Sequence, residues 1–440
     1  MATNNTRMVY VESVIDGTPL SETAGNSTEM EHLKSSIDDI FVISNGIIVC
    51  FMQCGFACLE AGAVRSKNTT NIMMKNLMDI CFVYPPVTHW VWTEEGWLYK
   101  LGYVDFSGCG PIHLIGGVCS FFGALFLGPR LGRFENKFNS SEKEELVGHS
   151  VPLTGIGGMI LIAGFLAFNG GSIGSMSKPG DQFVIARVII NTILGGSGGS
   201  IVMLGMCKLG FGGKSAWSFS LTLNAALAGM VSVCAGADVM AMWASFVSGA
   251  LMAPLYLGIH YAVLWIKLDD PLDAVAVHFG GGFWGLLSAS LFGNGGIVFG
   301  ASYESGLLLW HRIVGASVII LWGSVWSCLM FGLLKRSGKL RVTEEEELKG
   351  LDIAMHNEPG YPLKGWFIPP QFSLYSEAEA LVKPDMEPLA RPAVEPYVEV
   401  MPKPEAEKVM NSDSDTSRRT YNKSSIRPKS ESEADRYFRR

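Results

Sequence analysis

The chain has 440 residues, of which 48% are hydrophobic and 17% are charged, and it contains 51 glycines. This composition and a positive mean hydropathy exclude an ordinary soluble protein and are typical of packed membrane helices, because helices in lipid associate by close backbone contact through small residues. A formal net charge of −7 argues against nucleic acid as a partner, since proteins that bind it carry clustered Lys and Arg.

Apolar stretches of about 20 residues recur along the chain, and this length crosses the roughly 30 Å of hydrocarbon in a bilayer. They predict an all-α, polytopic transmembrane helical bundle with about nine spans. The predicted spans are residues 39–62, 71–92, 111–129, 151–171, 182–206, 216–235, 240–265, 274–294 and 307–334. Residues 1–36 lack the basic start and apolar run of a cleaved signal peptide, so the first span is expected to insert uncleaved.

The connections between the predicted spans alternate in charge, and basic connections stay on the cytoplasmic side of a membrane. One set contains little beyond Lys100 and Lys178. The other set contains Arg65, Lys67, Arg130, Arg133, Lys137, Lys143, Lys208, Lys214, Lys267, Lys335, Arg336, Lys339 and Arg341. The amino terminus is therefore predicted to lie outside and the carboxy terminus in the cytoplasm.

Composition also predicts how the chain divides. Residues 1–37 are expected to form an extracellular segment and residues 38–336 the transmembrane domain. Residues 337–365 contain LRVTEEEELKGLD, which predicts a short acidic helix in a cytoplasmic regulatory segment. Residues 366–440 are rich in Pro, Glu, Ser, Lys and Arg, which predicts a disordered cytoplasmic tail.

The nine cysteines lack the paired spacing of a zinc site and lie mostly in or beside apolar stretches. Cys50, Cys54 and Cys58 share one helix face, where packing is favoured over metal or redox chemistry. No metal and no cofactor are therefore predicted. The spans also lack a nucleophile with an oriented base, which argues against a membrane enzyme.

Two histidines lie near the starts of different spans, and titratable groups inside a membrane are costly and often functional. His113 lies in DFSGCGPIHLIGG and His278 in DDPLDAVAVHFGGGFWG, each bordered by glycines that let a neighbouring helix approach. A lone membrane histidine is usually a packed, hydrogen-bonded residue. Two of them on different spans instead predict a neutral imidazole pair that accepts and passes on a proton.

The segments around these histidines resemble those of the ammonium transporter (Amt/Mep/Rh) family, most of all its Amt branch. The resemblance covers most of residues 38–361. The motifs that carry it, in chain order, are GAVRSKNTTNIMMKN, VYPPVTHWVW, VDFSGCGPIHLIGGV, AFNGGS, LTLNAALAGMVSVCAGAD, DDPLDAVAVHFGGG and LRVTEEEELKGLD. The resemblance implies a trimer in which each subunit encloses its own pore between two inverted repeats.

The resemblance also implies roles for individual residues. His113 and His278 occupy the positions of the twin pore histidines, which relay the proton. Trp92 resembles the aromatic residue of the outer recruitment site, where a ring face holds a cation by roughly 0.5–2 kcal/mol. From the residues alone, Trp92 reads equally well as a tryptophan of the membrane interface.

Other positions match the outer half of the family's pore. Ser172 resembles the hydroxyl that accepts a hydrogen bond from ammonium, and Phe168 resembles one of two phenylalanines that close the pore. Asp105 resembles the carboxylate that supports the recruitment site, although it also reads as a helix cap. Phe165 stands where some relatives have a tryptophan beside that site and is not expected to bind.

The implied mechanism begins with ammonium at the outer aromatic and hydroxyl site, where the cation loses its proton. Neutral ammonia then passes an apolar constriction beside the histidines. This order is favoured because an intact cation in a dry pore would meet a desolvation penalty on the order of several kcal/mol.

The chain departs from the family at one junction. NIMMKNLMDI resembles the start of the family's second helix, yet VYPPVTHWVW, which follows within a few residues, resembles the end of the fourth. About two helices are therefore missing, including the partner of Phe168. The predicted span 71–92 also contains residues that oppose insertion into a membrane, namely Lys75, Asp79, Pro85 and Pro86. The gap is expected to reflect an alternative transcript or an omission in the gene model.

Two functions follow from these features. The favoured function is ammonium or ammonia transport at the plasma membrane by a homotrimer in the lipid bilayer. The alternative is a non-conducting isoform that joins trimers with full-length subunits and lowers their activity.

Overall fold

The computed structural model describes residues 26–65, 68, 83–134, 146, 148–213 and 215–361. Within these ranges the chain is helical, and its single β-bridge joins Met240 to Gly293. The prediction of an all-α bundle is therefore confirmed.

Twelve helices are numbered here in chain order, and two of them begin with a π-helical turn. Their bounds are α1 Asn26–Ala63, α2 Tyr84–Trp92, α3 Trp97–Leu101, α4 Cys109–Leu127, α5 Val151–Gly171, α6 Asp181–Lys208, α7 Phe219–Val231, α8 Met242–Trp265, α9 Val275–Phe292, α10 Tyr303–Arg336, α11 Glu344–Lys349 and α12 Leu351–His356. A short 3₁₀ turn, Cys234–Gly236, extends α7, and another, Ile297–Phe299, follows α9.

Eight of these helices in the described ranges are long and apolar enough to cross a membrane, so the chain is a multi-pass membrane protein. They correspond to eight of the roughly nine predicted spans. The remaining predicted span, residues 71–92, lies largely outside the described residues, and with it Lys75 and Asp79. Its described part includes α2, which at 9 residues is too short to cross alone.

Pro85 and Pro86 occupy the first turn of α2, where the backbone N–H groups have no partner within the helix. The two prolines therefore fit the start of a helix, although the sequence suggested that they would oppose a span.

The two ends of the bundle can be defined by contacts between helix termini. At one end, His149 before α5 contacts the carbonyl oxygen of Val64 after α1, with Nδ1 at 2.7 Å. At the other end, Asp38 in the first half of α1 accepts hydrogen bonds from Ser177, which follows α5. We call these the Val64 end and the Trp92 end.

Trp92 belongs to the second end through a chain of contacts. Its indole Nε1 donates to the carbonyl of Asp105, and the next residue, Phe106, donates its backbone N–H to Ala235 after α7. The neighbouring Cys234 contacts Asn169 near the end of α5. Val64 and Trp92 thus lie at opposite ends of the bundle.

Glycine determines how closely the central helices pack. A Cβ atom at Gly249 of α8 would lie 1.8 Å from the carbonyl oxygen of Gly195 on α6, and one at Gly199 would lie 2.2 Å from the carbonyl oxygen of Ala225 on α7. The GGSGGS run at 195–200 therefore lets α6 contact both neighbours through backbone atoms, as expected for helices in lipid.

The segment after α10 folds back onto the Val64 end. Thr343 and Glu346 form a capping box at the start of α11, which is the predicted acidic helix. Glu347 of α11 accepts a hydrogen bond from the backbone N–H of Leu131 after α4. Further along, the hydroxyl of Tyr361 lies 2.7 Å from Nε2 of His149.

Replacement of Gly249 by alanine tests the backbone contact between α6 and α8. The added methyl group overlaps Gly195, so we expect the free energy of unfolding to fall by about 1–3 kcal/mol or more. Gly258→Ala on the same helix is the control, because no atom lies within 4 Å of its Cβ position. Melting of the detergent-solubilised variants compares the two, and equal melting temperatures would contradict the packing described here.

Candidate functional site

The two predicted histidines meet inside the bundle. Nδ1 of His113 lies 3.3 Å from Nδ1 of His278, and the rings are nearly parallel, with an interplanar angle of 4° and centroids 5.4 Å apart. His113 is buried and His278 is half-buried. At this distance two neutral rings can form a hydrogen bond in which one Nδ1 donates and the other accepts.

Backbone contacts of two glycines bring the histidines together. A Cβ atom at Gly117, one turn after His113, would lie 2.1 Å from the backbone nitrogen of Phe279, and one at Gly282, one turn after His278, would lie 2.7 Å from the backbone nitrogen of Leu114. Helices α4 and α9 therefore cross in backbone contact beside the imidazoles, as the bordering glycines predicted.

The local structure around His113 on α4 is repeated around His278 on α9. His113 and His278 each lie in a π-helical turn, Cys109–Leu114 and Val275–Gly280, which opens the helical backbone and often marks a functional position. A carboxylate precedes each histidine by eight residues, Asp105 in one half and Asp270 in the other. This repeated spacing was visible in the sequence, and it supports the inverted-repeat architecture.

Asp105 holds the start of α4. Its Oδ1 accepts from the backbone N–H groups of Gly108 and Cys109 at 2.8 and 2.9 Å. Its Oδ2 accepts from Gly110 at 2.7 Å and from the Tyr103 hydroxyl at 3.1 Å. A carboxylate suits this position because the first N–H groups of a helix have no partner within it.

Trp92 is tied to the same loop. Its Nε1 donates to the carbonyl oxygen of Asp105 at 2.7 Å, and its ring lies 3.0 Å from the Cβ position of Gly108. The side chain remains 39% exposed. The ring is thus oriented by the loop that precedes His113 while part of it still faces the surroundings.

Aromatic side chains of α5 surround His113. The centroid of Phe168 lies 5.8 Å from that of His113, and Phe165 stacks on His113 at 5.6 Å with an interplanar angle of 16°. Phe165 therefore lies against one of the two paired histidines, a contact that the sequence did not suggest. The Ser172 hydroxyl donates to the carbonyl of Phe168 at 2.7 Å, which leaves its oxygen lone pairs for a donor.

A chain of polar side chains beside His113 was missed in the sequence. The thiol of Cys234 lies 3.8 Å from Nε2 of His113 and donates to Asn169 at 3.3 Å. Asn169 in turn donates to Thr192 at 2.9 Å. These three residues are buried, so they hold the far side of the imidazole in a fixed polar environment.

Two cavities lead from His278 toward the Val64 end. The smaller, of about 60 Å³, is lined mainly by apolar side chains and by His278. The larger, of about 160 Å³, is more polar and includes Asp273 and Thr154. Leu59, Asn224 and Leu272 line both, so the two cavities adjoin.

An ion pair joins the loops beside these cavities. Nε and a terminal nitrogen of Arg130 bind the two oxygens of Asp269 at 2.7 and 2.8 Å. Burial alone would raise the pKa of the Asp269 carboxyl, but the hydrogen bonds and charge of Arg130 outweigh burial and hold this pKa below its usual value. The pair links the end of α4 to the loop before α9.

The structure is thus that of a multi-pass helical membrane protein with two facing histidines inside the bundle. A sequence model of the Ammonium Transporter Family matches residues 40–83 and 80–361, and the chain belongs to that family. Within the described residues, no group of three or more His, Cys, Asp or Glu side chains is arranged to hold a metal ion.

Two curated relatives show the extent of the match. The chain is 37% identical over 430 aligned positions to "Putative ammonium transporter 1" of Caenorhabditis elegans, covering 75% of this chain and 80% of that protein. It is 30% identical to "Ammonium transporter 3" of Dictyostelium discoideum, covering 78% and 98%. These relatives are transporters, which confirms the prediction of a transporter rather than an enzyme.

Solved structures show the same fold. A "Sensor Amt Protein" matches with a TM-score of 0.65 and 24% identity, over 74% of this chain and 100% of that chain. A mutant of Candida albicans Mep2 matches with a TM-score of 0.60 and 20% identity, over 74% of this chain and 91% of that chain.

The comparison with the nematode relative also bears on the missing block. Seventy-five per cent of 440 residues is 330, so about 100 of the 430 aligned positions have no residue of this chain opposite them. The family model matches in two pieces that meet at residues 80–83. Both observations agree with the predicted gap before VYPPVTHWVW.

Replacement of Asp105 by asparagine tests the anchoring of α4. The amide nitrogen would face the N–H of Gly110, and leaving this buried donor unsatisfied is expected to lower the free energy of unfolding by about 1–3 kcal/mol. Glu95→Gln is the control, because Glu95 forms only an exposed pair with Lys100. Melting curves in detergent measure both, and an unchanged Asp105→Asn melting temperature would show that the carboxylate does not anchor the helix.

Proposed function

We propose that the chain conducts ammonium across a membrane by binding the cation at the Trp92 end, removing its proton, and passing ammonia beside His113 and His278. The single observation that carries this proposal is the imidazole pair, with Nδ1 atoms 3.3 Å apart. Around it lie aromatic and apolar side chains, and an adjoining cavity opens from His278 toward the Val64 end.

Recruitment of the cation is proposed at Trp92 and Ser172. The ring of Trp92 is partly exposed and is oriented by its hydrogen bond to Asp105, so its face can hold a cation. The hydroxyl of Ser172 donates to its own helix, which turns the oxygen into an acceptor for an ammonium N–H. Phe168 then forms the gate between this site and His113.

Deprotonation follows from the cost of burial. Between Phe168 and the smaller cavity, the path offers mainly apolar surfaces and the two imidazoles, so a cation would lose water without gaining enough acceptors. That penalty is on the order of several kcal/mol or more, whereas ammonia loses much less. The imidazole pair supplies a polar contact on this path and can relay the proton.

Orientation in the membrane is proposed from charge. Arg130, Arg133 and Arg341 interact with residues of the Val64 end, whereas Lys100 lies near the Trp92 end, in α3. Basic residues collect on the cytoplasmic side, so the Trp92 end faces outward. The amino terminus is then outside, the carboxy terminus is cytoplasmic, and the plasma membrane is the proposed location.

Assembly into a trimer is part of the proposal. Helix α1 has a row of exposed apolar side chains in the isolated chain, among them Ile40, Ile43, Ile47 and Phe51. This face requires lipid or another subunit as its partner. The folded-back segment after α10 is proposed as a regulatory element, since it touches the loops after α1, α4 and before α5.

The second candidate is a non-conducting subunit that joins full-length relatives. It is favoured by the roughly 100 aligned positions that have no counterpart in this chain, because the family resemblance implies that the missing block includes part of the pore wall and the partner of Phe168. Such a subunit would co-precipitate with a full-length transporter and lower its uptake rate without transporting by itself.

Ammonium uptake in cells that lack their own ammonium transporters tests the proposal. The wild-type chain is expected to support uptake, and the His113→Ala, His278→Ala double variant is expected to reduce it at least tenfold, because the relay and the polar contact are lost. Surface expression is measured for both. Wild-type chain that reaches the surface without producing uptake would favour the non-conducting subunit.

A further inference from the structure

A second polar cluster lies at the Val64 end, apart from the paired histidines. Tyr256 and His260 lie one turn apart on α8, and both contact Asp273 in the loop before α9. Oδ1 of Asp273 lies 2.6 Å from Nδ1 of His260, and Oδ2 accepts from the Tyr256 hydroxyl at 2.5 Å. Nδ2 of Asn224 on α7 lies 3.4 Å from the same Oδ2.

The cluster is built around the carboxylate. Asp273 has a backbone φ of 57°, a left-handed conformation that residues other than glycine rarely adopt. Its side chain is 15% exposed and that of His260 is 22% exposed. The carboxylate is therefore fixed by contacts from two helices, and its histidine partner still reaches the surroundings.

The position of this cluster connects it with the transport path. Asp273 lines the larger cavity, and Asn224 lines both that cavity and the smaller one that reaches His278. A molecule that leaves the paired histidines toward the Val64 end therefore passes Asn224 and then meets the carboxylate. Glu60 also lines the smaller cavity.

We propose that the larger cavity is a second ammonium site, in which Asp273 is the anionic ligand and protonation of His260 turns the site off. This inference rests on the proposed function, because it assumes that ammonia emerges from the apolar part of the path. Ammonia takes one proton there from hydronium in the surrounding solution and becomes ammonium, and water is the other product.

The cavity has the acceptors that ammonium requires. Ammonium has four N–H donors, and the lining includes the Asp273 carboxylate and the side-chain oxygens of Thr154, Ser220 and Asn224. Its volume of about 160 Å³ exceeds the roughly 10–15 Å³ that a cavity needs to hold one water-sized molecule.

The charge of His260 decides whether the site attracts a cation. With neutral His260, the His260–Asp273 pair has a net charge of −1, and with charged His260 it is neutral. The ionisable groups that act on His260 are Asp273 and Asp270 of the same loop, Arg133 after α4, and the neighbouring Tyr256 and Tyr261. Acid charges an imidazole, and the Asp273 carboxylate, with Oδ1 2.6 Å from Nδ1 of His260, is the charge that a protonated His260 neutralises.

Right-side-out plasma-membrane vesicles containing the chain test this site, because their internal pH and ammonium can be set. Initial ammonium uptake is measured with and without preloaded ammonium chloride, at internal pH of about 7.5 and about 5.5. In the wild type, preloaded ammonium is expected to inhibit uptake several-fold at the higher pH, because the occupied site blocks the exit. The inhibition is expected to weaken at least threefold at the lower pH.

Two variants separate the roles of the pair. His260→Asn keeps a donor for Asp273 but cannot gain charge. Preloaded ammonium is therefore expected to inhibit uptake by this variant equally at both pH values. In the Asp273→Asn variant, preloaded ammonium is expected not to inhibit uptake at either pH value. His89→Asn is the control, since the side chain of His89 in α2 is exposed and contacts Thr93, the residue that follows α2, and it should behave as the wild type.

The outcomes distinguish this site from the transport function itself. Wild-type uptake with inhibition that does not change with internal pH, or a His260→Asn variant with the wild-type pH response, would overturn the second site alone. If the wild-type chain produces no ammonium uptake into vesicles that were not preloaded with ammonium, the proposed function is overturned, and the second site with it.

Discussion

The backbone contact between α4 and α9 is the constraint on which the rest of the site depends. Gly117 and Gly282 each sit one turn after a histidine and leave no room for a side chain against the opposing backbone. Only this approach places two imidazoles of different helices 3.3 Å apart. Each histidine lies in a π-helical turn, and a carboxylate precedes each of them by eight residues.

The remaining groups are arranged by their distance from this centre. Toward the Trp92 end, aromatic rings of α5 cover His113, and Trp92 is fixed by the loop that Asp105 organises. Toward the Val64 end, apolar surface gives way to a polar cavity with a fixed carboxylate. The proposed path would thus pass from the partly exposed Trp92 through mainly aromatic and apolar surroundings of the imidazoles to a polar cavity, an order that would favour a neutral molecule over a cation in between.

Much of this could be predicted from the sequence, because span length, glycine borders and the alternation of basic connections are local signals. The contact of His113 with His278 followed from glycines beside each histidine. The pairing of His260 with Asp273 did not, because it depends on a left-handed residue in a loop and belongs to no motif. The stacking of Phe165 on His113 likewise required the crossing of α4 and α5 in three dimensions. The fit of Pro85 and Pro86 depended on where α2 begins.

The most direct test of the central claim is ammonium flux through the purified chain alone in liposomes, followed by a pH-sensitive dye inside. If this chain encloses its own pore around the paired histidines, an ammonium gradient will change the internal pH faster than in empty liposomes. The His113→Ala, His278→Ala variant will then match the empty liposomes. A correctly folded wild-type chain that is no faster than empty liposomes would contradict the account and indicate that the missing block is needed for conduction.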